Sequence, residues 1–508
     1  MQRNYFYGLL LVIFCFSPIL FNSAEAQPKR EMRAVWVATV ANIDFPSNQN
    51  LSTSEQKQEI ITMLERQKSL GMNTIIFQVR PTSDALYQSD IEPWSMWLTG
   101  KQGKAPDPFY DPLRFMIREC RKRSMKIHAW INPYRVFNDT ANAKNAAPNH
   151  VSQKHPDCML DYGGKRYFDP GLPETWAYVT RVVTDIVKRY DIDAIHMDDY
   201  FYPYRIQGVE FPDSTSFRKH PRGYSASEKD DWRRNNVNRI IEMFHDSVRA
   251  VDPAVQIGIS PFGVWRNKSD DPRGSESQAG QTNYDDLYAD VLKWMEEGWI
   301  DYVAPQLYWH IGFEPADFAK LIKWWDDNSY GINLYIGHGA YRIGRERYDE
   351  WQEEDQITRQ LNMTREYENV DGSIFFSEKS FRSNPLDVND KLKKDFYAEP
   401  ALVPVVRNIP DQPIETPSHL WLKELPNKKV LDWDQSSNAV YYVVYRFYGD
   451  TVGDIEDPKN IYKITDSPDV EPDRRWHLFK KTYTFVVTAV NMKNQESEPS
   501  HPITIRIR

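Results

Sequence analysis

The sequence predicts an α/β chain: a (β/α)8 (TIM) barrel over residues 29–397, followed by an all-β immunoglobulin-like sandwich over 413–508. Three observations carry that expectation. Between residues 32 and 397, eight strand-like apolar runs alternate with helix-like amphipathic ones. The strand runs are apolar on both faces, as in a parallel sheet covered by helices. After a Pro-rich linker, residues 398–412, the texture switches to short alternating strands with no helical period.

Taken in order, residues 1–26 read as a secretory signal peptide: Arg3, an apolar core "GLLLVIFCF", and a small-x-small site ending at Ala26. That core is too short for a membrane span, and no later segment approaches 18 apolar residues. The expected product is exported, periplasmic or extracellular, without a transmembrane span. The strand runs are 32–40, 73–80, 126–136, 194–203, 256–265, 302–309, 333–341 and 372–381. Helix runs include 54–71, which stops at Gly71, and 176–190, 237–251 and 284–298. In the tail, 429–435, 439–447, 460–465 and 482–491 read as sandwich strands.

Composition narrows the function. Charged residues are 27% of the 508 and the net charge is −9, with no basic tract, so nucleic acid is not an expected partner. Aromatics at 14% suit either an ordinary core or a sugar-binding cleft. His-Glu-x-x-His, Cys-x-x-Cys, Gly-x-Ser-x-Gly and phosphate-binding Gly-rich loops are absent, so no metal or cofactor is expected. Cys120 and Cys158 are the two cysteines after residue 26, too few for a disulfide scaffold.

The stretch "AIHMDDYFYP", residues 194–203, focuses the question. Two adjacent carboxylates repel unless something uses, pairs or solvates them. In a (β/α)8 barrel the active site lies at the C-terminal ends of the strands, where Asp198 and Asp199 fall. His196, Asp198 and Tyr200 share a strand face, which points Asp198 into the barrel mouth. A structural ion pair is the competing account. Other strand ends offer Arg80 and Asp84; Asn132, Tyr134 and Arg135; Trp265; and Gln306, Tyr308 and Trp309. Aromatic faces with amide, guanidinium and carboxylate groups are what sugars require. Glycoside hydrolysis uses two carboxyl groups. Asp198 is the first candidate, and its partner is sought at Asp199, then Asp84, then Glu378, with Asp44 also near a strand end.

With those residues in place, the barrel portion resembles the glycosyl-hydrolase-like 10 family. The segments are "RAVWVATVANIDFPS", "VRPTSDALYQSDIEPWSMWLTGKQG", "HAWINPYRV", "IHMDDYFYP", "ISPFGVWRN" and "DYVAPQLYW". The resemblance implies a secreted bacterial glycosidase, with members similar to divisome-localised enzymes acting on peptidoglycan strands stripped of stem peptides. It implies a cleft lined by Arg80, Asp84, Asn132, Arg135, Asp198, Asp199, Gln306, Tyr308 and Trp309. The sixth strand, "PQLYWH", carries no carboxylate, and aligning "IDAIHMDDYFYP" on chitinase-like enzymes places their catalytic glutamate at Tyr200. The segment 413–508, with Trp433 and the Tyr483–Asn491 alternation, resembles a fibronectin type III domain. The expected substrate is thus a cell-envelope polysaccharide. The alternatives are another polysaccharide, dietary or host, and a carbohydrate-binding barrel without catalysis.

Overall fold

The computed structural model describes residues 27–345, 348–426, 428–472 and 481–507; the expected signal peptide lies outside them. Eight parallel strands close into a barrel: Met32–Val37, Thr74–Arg80, Lys126–Ile131, Ala194–Met197, Gln256–Ile259, a split sixth strand, Asn333–His338 and Val370–Phe375. Closure runs from the eighth strand back to the first, Met32 opposite Gly372.

Several runs are shorter than their apolar pattern suggests. The sixth strand is two pieces, Tyr302–Val303 and Gln306–Leu307, separated at Pro305, whose nitrogen cannot donate to the ladder. The third run leaves the barrel at Asn132. Its continuation, Arg135–Phe137, pairs instead with Lys165–Phe168 in a small antiparallel sheet above the mouth. The eighth run divides into a strand and a helix, Glu378–Ser383.

Helices cover the outside. Thr53–Ser69 begins at a capping box, where Ser52 and Glu55 satisfy one another's backbone donors. Pro173–Arg189 and Lys229–Val251 extend beyond their expected starts. The helix expected over 284–298 is only Val291–Glu296. The residues ahead of it fold into a loop because Asp285 binds the Arg266 guanidinium and Asp286 accepts the Thr282 N–H. Among the described residues no helix is long and apolar enough to cross a membrane. Cys120 and Cys158 are both free thiols.

Period-two alternation sends Met32, Ala34, Trp36, Ile76, Trp130, Ala194, Tyr302, Tyr335 and Ile374 into the barrel interior. A polar chain crosses this interior. Trp36 Nε1 donates to His196 Nε2 at 3.0 Å, and the Tyr302 hydroxyl bonds the Nδ1 of both His196 and His128 at 2.8 Å. Because His196 Nε2 accepts, its neutral ring carries the proton on Nδ1. It therefore donates to Tyr302, which passes its own proton toward His128. Burial holds His128 down at about 4 and His196 well below its ordinary range, so both remain neutral. Gly258 makes room for Tyr302: a Cβ there would lie 1.8 Å from the ring.

The segment expected as a linker packs closely. Leu402, Val403, Val406 and Ile409 are buried, and Leu402 pairs with the Arg30–Glu31 backbone at the foot of the barrel. Beyond it stand two antiparallel sheets. One contains Trp421–Glu424, Lys429–Asp432 and Asp469–Val470. The other contains Ile461–Thr465, Tyr441–Tyr448, Lys481–Val490 and Ile503–Ile507. Along Tyr441–Tyr448, Tyr442 and Val444 fill the space between the sheets with Trp433 and Phe485. The intervening Tyr441, Val443 and Tyr445 cluster with Leu402 on the barrel side.

Candidate active site

The mouth of the barrel holds a cavity of about 200 Å³ to which all eight strands or the loops that follow them contribute. The first supplies Trp36, Ala38, Val40 and Ile43; the second Gln78; the third Trp130 and Arg135. The fourth gives Asp198, Asp199, Tyr200 and Tyr204, and the fifth Ser260. Gln306 and Tyr308 come from the sixth, Tyr341 from the seventh and Phe376 from the eighth. Trp36, Phe376, Tyr308 and Tyr341 form one aromatic wall, with Tyr308 tilted 31° to Phe376 at 6.0 Å. Tyr200 and Tyr204 also line the cavity and meet edge to face at 5.4 Å.

Asp198 and Asp199 border this cavity, 4% and 3% exposed. The ladder ends at Met197, so both side chains turn into the mouth instead of alternating across the sheet. Asp198 is gripped by N–H donors. Asn132 Nδ2 lies 3.0 and 3.2 Å from its two oxygens, Trp130 Nε1 lies at 3.2 Å, and the Tyr200 N–H at 3.3 Å. Asp199 accepts a short hydrogen bond from the Tyr204 hydroxyl and a further one from Gln306. Burial pushes Asp198 up to about 6, the nearby Arg135 charge opposes that rise, and Asp199 adds to it. Burial likewise raises Asp199, against the Tyr204 and Gln306 hydrogen bonds. The pair therefore keeps a proton to higher pH than an isolated aspartate would.

Gln306 is held by the Ser260 carbonyl at 3.0 Å. Gln78 accepts from the Thr39 and Val40 N–H groups at 2.9 Å, fixing the first rim loop, while its own Nε2 has no partner among the described residues. Arg135 lies with its guanidinium 4.2 Å from the Tyr200 ring centroid.

The other expected residues lie elsewhere. Asn132 sits behind Asp198 and orients it. Arg80 is buried against Glu92 in a fork of 2.8 and 2.6 Å and also bonds Ser83, so it is committed to the fold and does not reach the cavity. Asp84 is enclosed by Thr82, Gln102 and the Met96 N–H, and burial pushes it up to about 6; it is not the catalytic partner by position. Tyr134 is buried beneath the small sheet. Trp265 stacks on Trp324 at 5.9 Å, outside the cavity. Trp309 packs edge-on against Phe262 at 5.3 Å, away from the cavity wall. Glu378 is ion-paired with Arg66 and Arg382, and Asp44 accepts from Ala38, Ser377 and Lys379.

Sequence reasoning missed Trp36, Gln78, Trp130, Tyr200, Tyr204, Ser260, Tyr341 and Phe376. Strand alternation already set Tyr200 on the face of Asp198, and it could have found Gln78, which shares a face with Ile76. Trp36 shares a face with Ala34 and Ala38, and Trp130 shares one with His128.

The cavity thus combines two carboxyls, amide and guanidinium donors, and flat apolar faces. That is the chemistry of a sugar site, and comparison with known proteins agrees. The family described as "Glycosyl hydrolase-like 10" matches residues 31–353. "Glycosyl hydrolase YngK" of Bacillus subtilis is 42% identical over 95% of this chain and 94% of its own. "Glycosyl hydrolase DigH" of Escherichia coli is 37% identical over 69% of this chain and 84% of its own. Among solved structures, the catalytic domain of a β-amylase from Paenibacillus polymyxa is similar at TM-score 0.48 and 11% identity, over 73% of this chain and 98% of that one. With its barrel matched from residue 31 to 353 and its likeness to YngK running through 95% of its length, the chain belongs to the glycosyl hydrolase-like 10 family.

Proposed function

We propose that the protein is an exported glycoside hydrolase acting on cell-envelope polysaccharide, namely peptidoglycan glycan strands stripped of their stem peptides. The observation that carries this reading is the Asp198–Asp199 pair. Both carboxyls border one aromatic-walled cavity, and burial raises the affinity of the pair for a proton. One protonated and one ionised carboxyl on the same cavity are the two kinds of group that glycoside hydrolysis uses. The protonated member delivers its proton to the leaving glycosidic oxygen. The ionised member faces the positive charge that develops on the sugar ring, and water supplies the hydroxyl that bonds to the anomeric carbon as the glycosidic bond breaks.

Asn132, Trp130 and the Tyr200 N–H hold Asp198 in one orientation, and Tyr204 does the same for Asp199, so little reorganisation accompanies the chemical step. The aromatic wall supplies a face for the C–H surface of a pyranose. The export signal read from the sequence at residues 1–26 supports a substrate outside the cytoplasm.

The test uses residues 27–508 with glycan strands freed of stem peptides, following released saccharides by mass spectrometry beside Asp198→Asn. The wild type is expected to release short saccharides. The variant should be slower by about a hundredfold or more with an unchanged melting curve. Equal cleavage by both would remove Asp198 from the mechanism, and binding without cleavage would make the protein a carbohydrate-binding barrel.

A further inference from the structure

Arg135 is charged, 5% exposed, and borders the cavity, yet its guanidinium makes no hydrogen bond or ion pair with any described residue. No carboxylate comes within 4.0 Å of it, and its Nε is buried with no partner. A buried cation without a counterion is costly, by several kcal/mol in typical cases. Asp198 and Asp199 lie near enough to feel the Arg135 charge through space, but neither bonds its guanidinium. Asp198 is occupied by Asn132, Trp130 and the Tyr200 N–H, and Asp199 by Tyr204 and Gln306. The ammonium of Lys165 lies close enough to be depressed, first by partial burial and then by the Arg135 charge. The neighbourhood therefore holds a second cation, and its two carboxylates are hydrogen-bonded to other groups.

The fold fixes this arginine from every side. Its N–H donates to Asn132 Oδ1 at 2.8 Å, and its carbonyl accepts from Ser83 Oγ at 3.0 Å. Ser83 is in turn held by the buried Arg80. The guanidinium carbon rests 4.2 Å from the Tyr200 ring centroid, a cation–π contact that limits where the side chain can swing. A planar fork held in this way matches a carboxylate through two parallel N–H···O bonds, which a lysine cannot reproduce.

We propose that Arg135 is the specificity residue for a carboxylate carried by the substrate sugar. The inference rests on the glycan reading above. Within it, the group is the lactyl carboxylate of N-acetylmuramic acid. That carboxylate is free only on strands stripped of their stem peptides; on intact strands it is a neutral amide with a peptide attached. Arg135 thus gives the site a chemical means of telling the two apart. A hexuronic acid carries the same charged group on the ring itself.

The experiment measures binding, so it does not depend on turnover. Calorimetry compares the N-acetylglucosamine–N-acetylmuramic acid disaccharide, the same disaccharide with its carboxyl reduced to the alcohol, and a glucuronic-acid-containing disaccharide. The proteins are the wild type, Arg135→Gln and Arg135→Lys, with melting curves to confirm folding. The wild type is expected to prefer the acid over the alcohol by about tenfold or more, as for a charge-assisted pair. Arg135→Gln should abolish that preference and Arg135→Lys should keep part of it. Equal wild-type affinity for acid and alcohol, a preference that survives Arg135→Gln, or no binding of any probe would overturn the assignment; the first and third need no variant to fold. Tighter binding of the glucuronide than of the muramic acid disaccharide would overturn the lactyl group as the source. A clear acid preference in a protein that fails to cleave stripped strands would sink the hydrolase reading and leave this one standing.

Discussion

Asn132→Ala isolates how the protein sets the charge of Asp198. The Asn132 amide lies 3.0 and 3.2 Å from the two Asp198 oxygens, and by bonding the carboxylate it favours the ionised form against the burial that pushes the group up to about 6. A hydrogen bond to a charged group contributes about 1.5–3 kcal/mol. At about 1.4 kcal/mol per pKa unit, its loss raises Asp198 by a further 1–2 units or so. The direction does not depend on the role of Asp198. If it must be ionised, the acid limb of kcat/KM moves to higher pH; if it must be protonated, the alkaline limb does. The assay is kcat/KM on stripped glycan strands from pH 4 to 9 for wild type and variant. Losing the bond from the Arg135 N–H to Asn132 Oδ1 costs about 1 kcal/mol of stability, which a melting curve detects. A folded variant whose limbs stay where they were, or move to lower pH, would refute the account.

Further expectations concern the scaffold. Glu92→Gln leaves the fully buried Arg80 without its counterion and should cost about 3–5 kcal/mol in urea unfolding; a loss of glycan affinity with stability intact would instead restore Arg80 to the substrate site. Gly258→Ala drives a methyl into the Tyr302 ring and should destabilise by about 3 kcal/mol or more, read as a melting temperature well below that of the wild type. Burial raises Asp44, Asp84 and Asp169 from 3.8 to about 6. Their folded pKa values lie above the unfolded ones, so their stabilising contribution is complete below about pH 4 and lost as pH rises through 6. Buried histidines held neutral pull the slope of the whole chain the other way, so the test is a difference. In urea unfolding, the stability of Asp84→Asn relative to wild type should rise between pH 5 and pH 7, and an unchanged difference would refute the assignment.

The barrel was legible because its strands are buried on both faces and each precedes an amphipathic helix. Strand ends were overrun for a physical reason. Val264 and Trp265 continue the apolar run of the fifth strand, but they are buried outside the ladder, which ends at Ile259. At the site, Asp198, Asp199, Arg135, Gln306 and Tyr308 were readable as polar or aromatic groups at strand ends. Arg80 and Asp84 meet the same description yet turn away. Their partners, Glu92 and Gln102, lie 12 and 18 residues further along loops whose path no local pattern encodes. The aromatic wall was hidden for the converse reason. Trp36 and Phe376 look like core residues and are core residues, except for the face each shows to the cavity.

The buried strap after the barrel gives the molecule two unlike ends. Leu402 and Val403 join the sandwich to the foot, where Lys29 and Arg30 reach Glu496 and the third strand begins at Lys126. The carboxyl pair opens at the far end, beyond strands of six or seven residues and hence about 20 Å away. A surface gripped by the sandwich is held out of reach of the cleft. The sandwich and the cleft therefore occupy opposite ends of the molecule, separated by the height of the barrel.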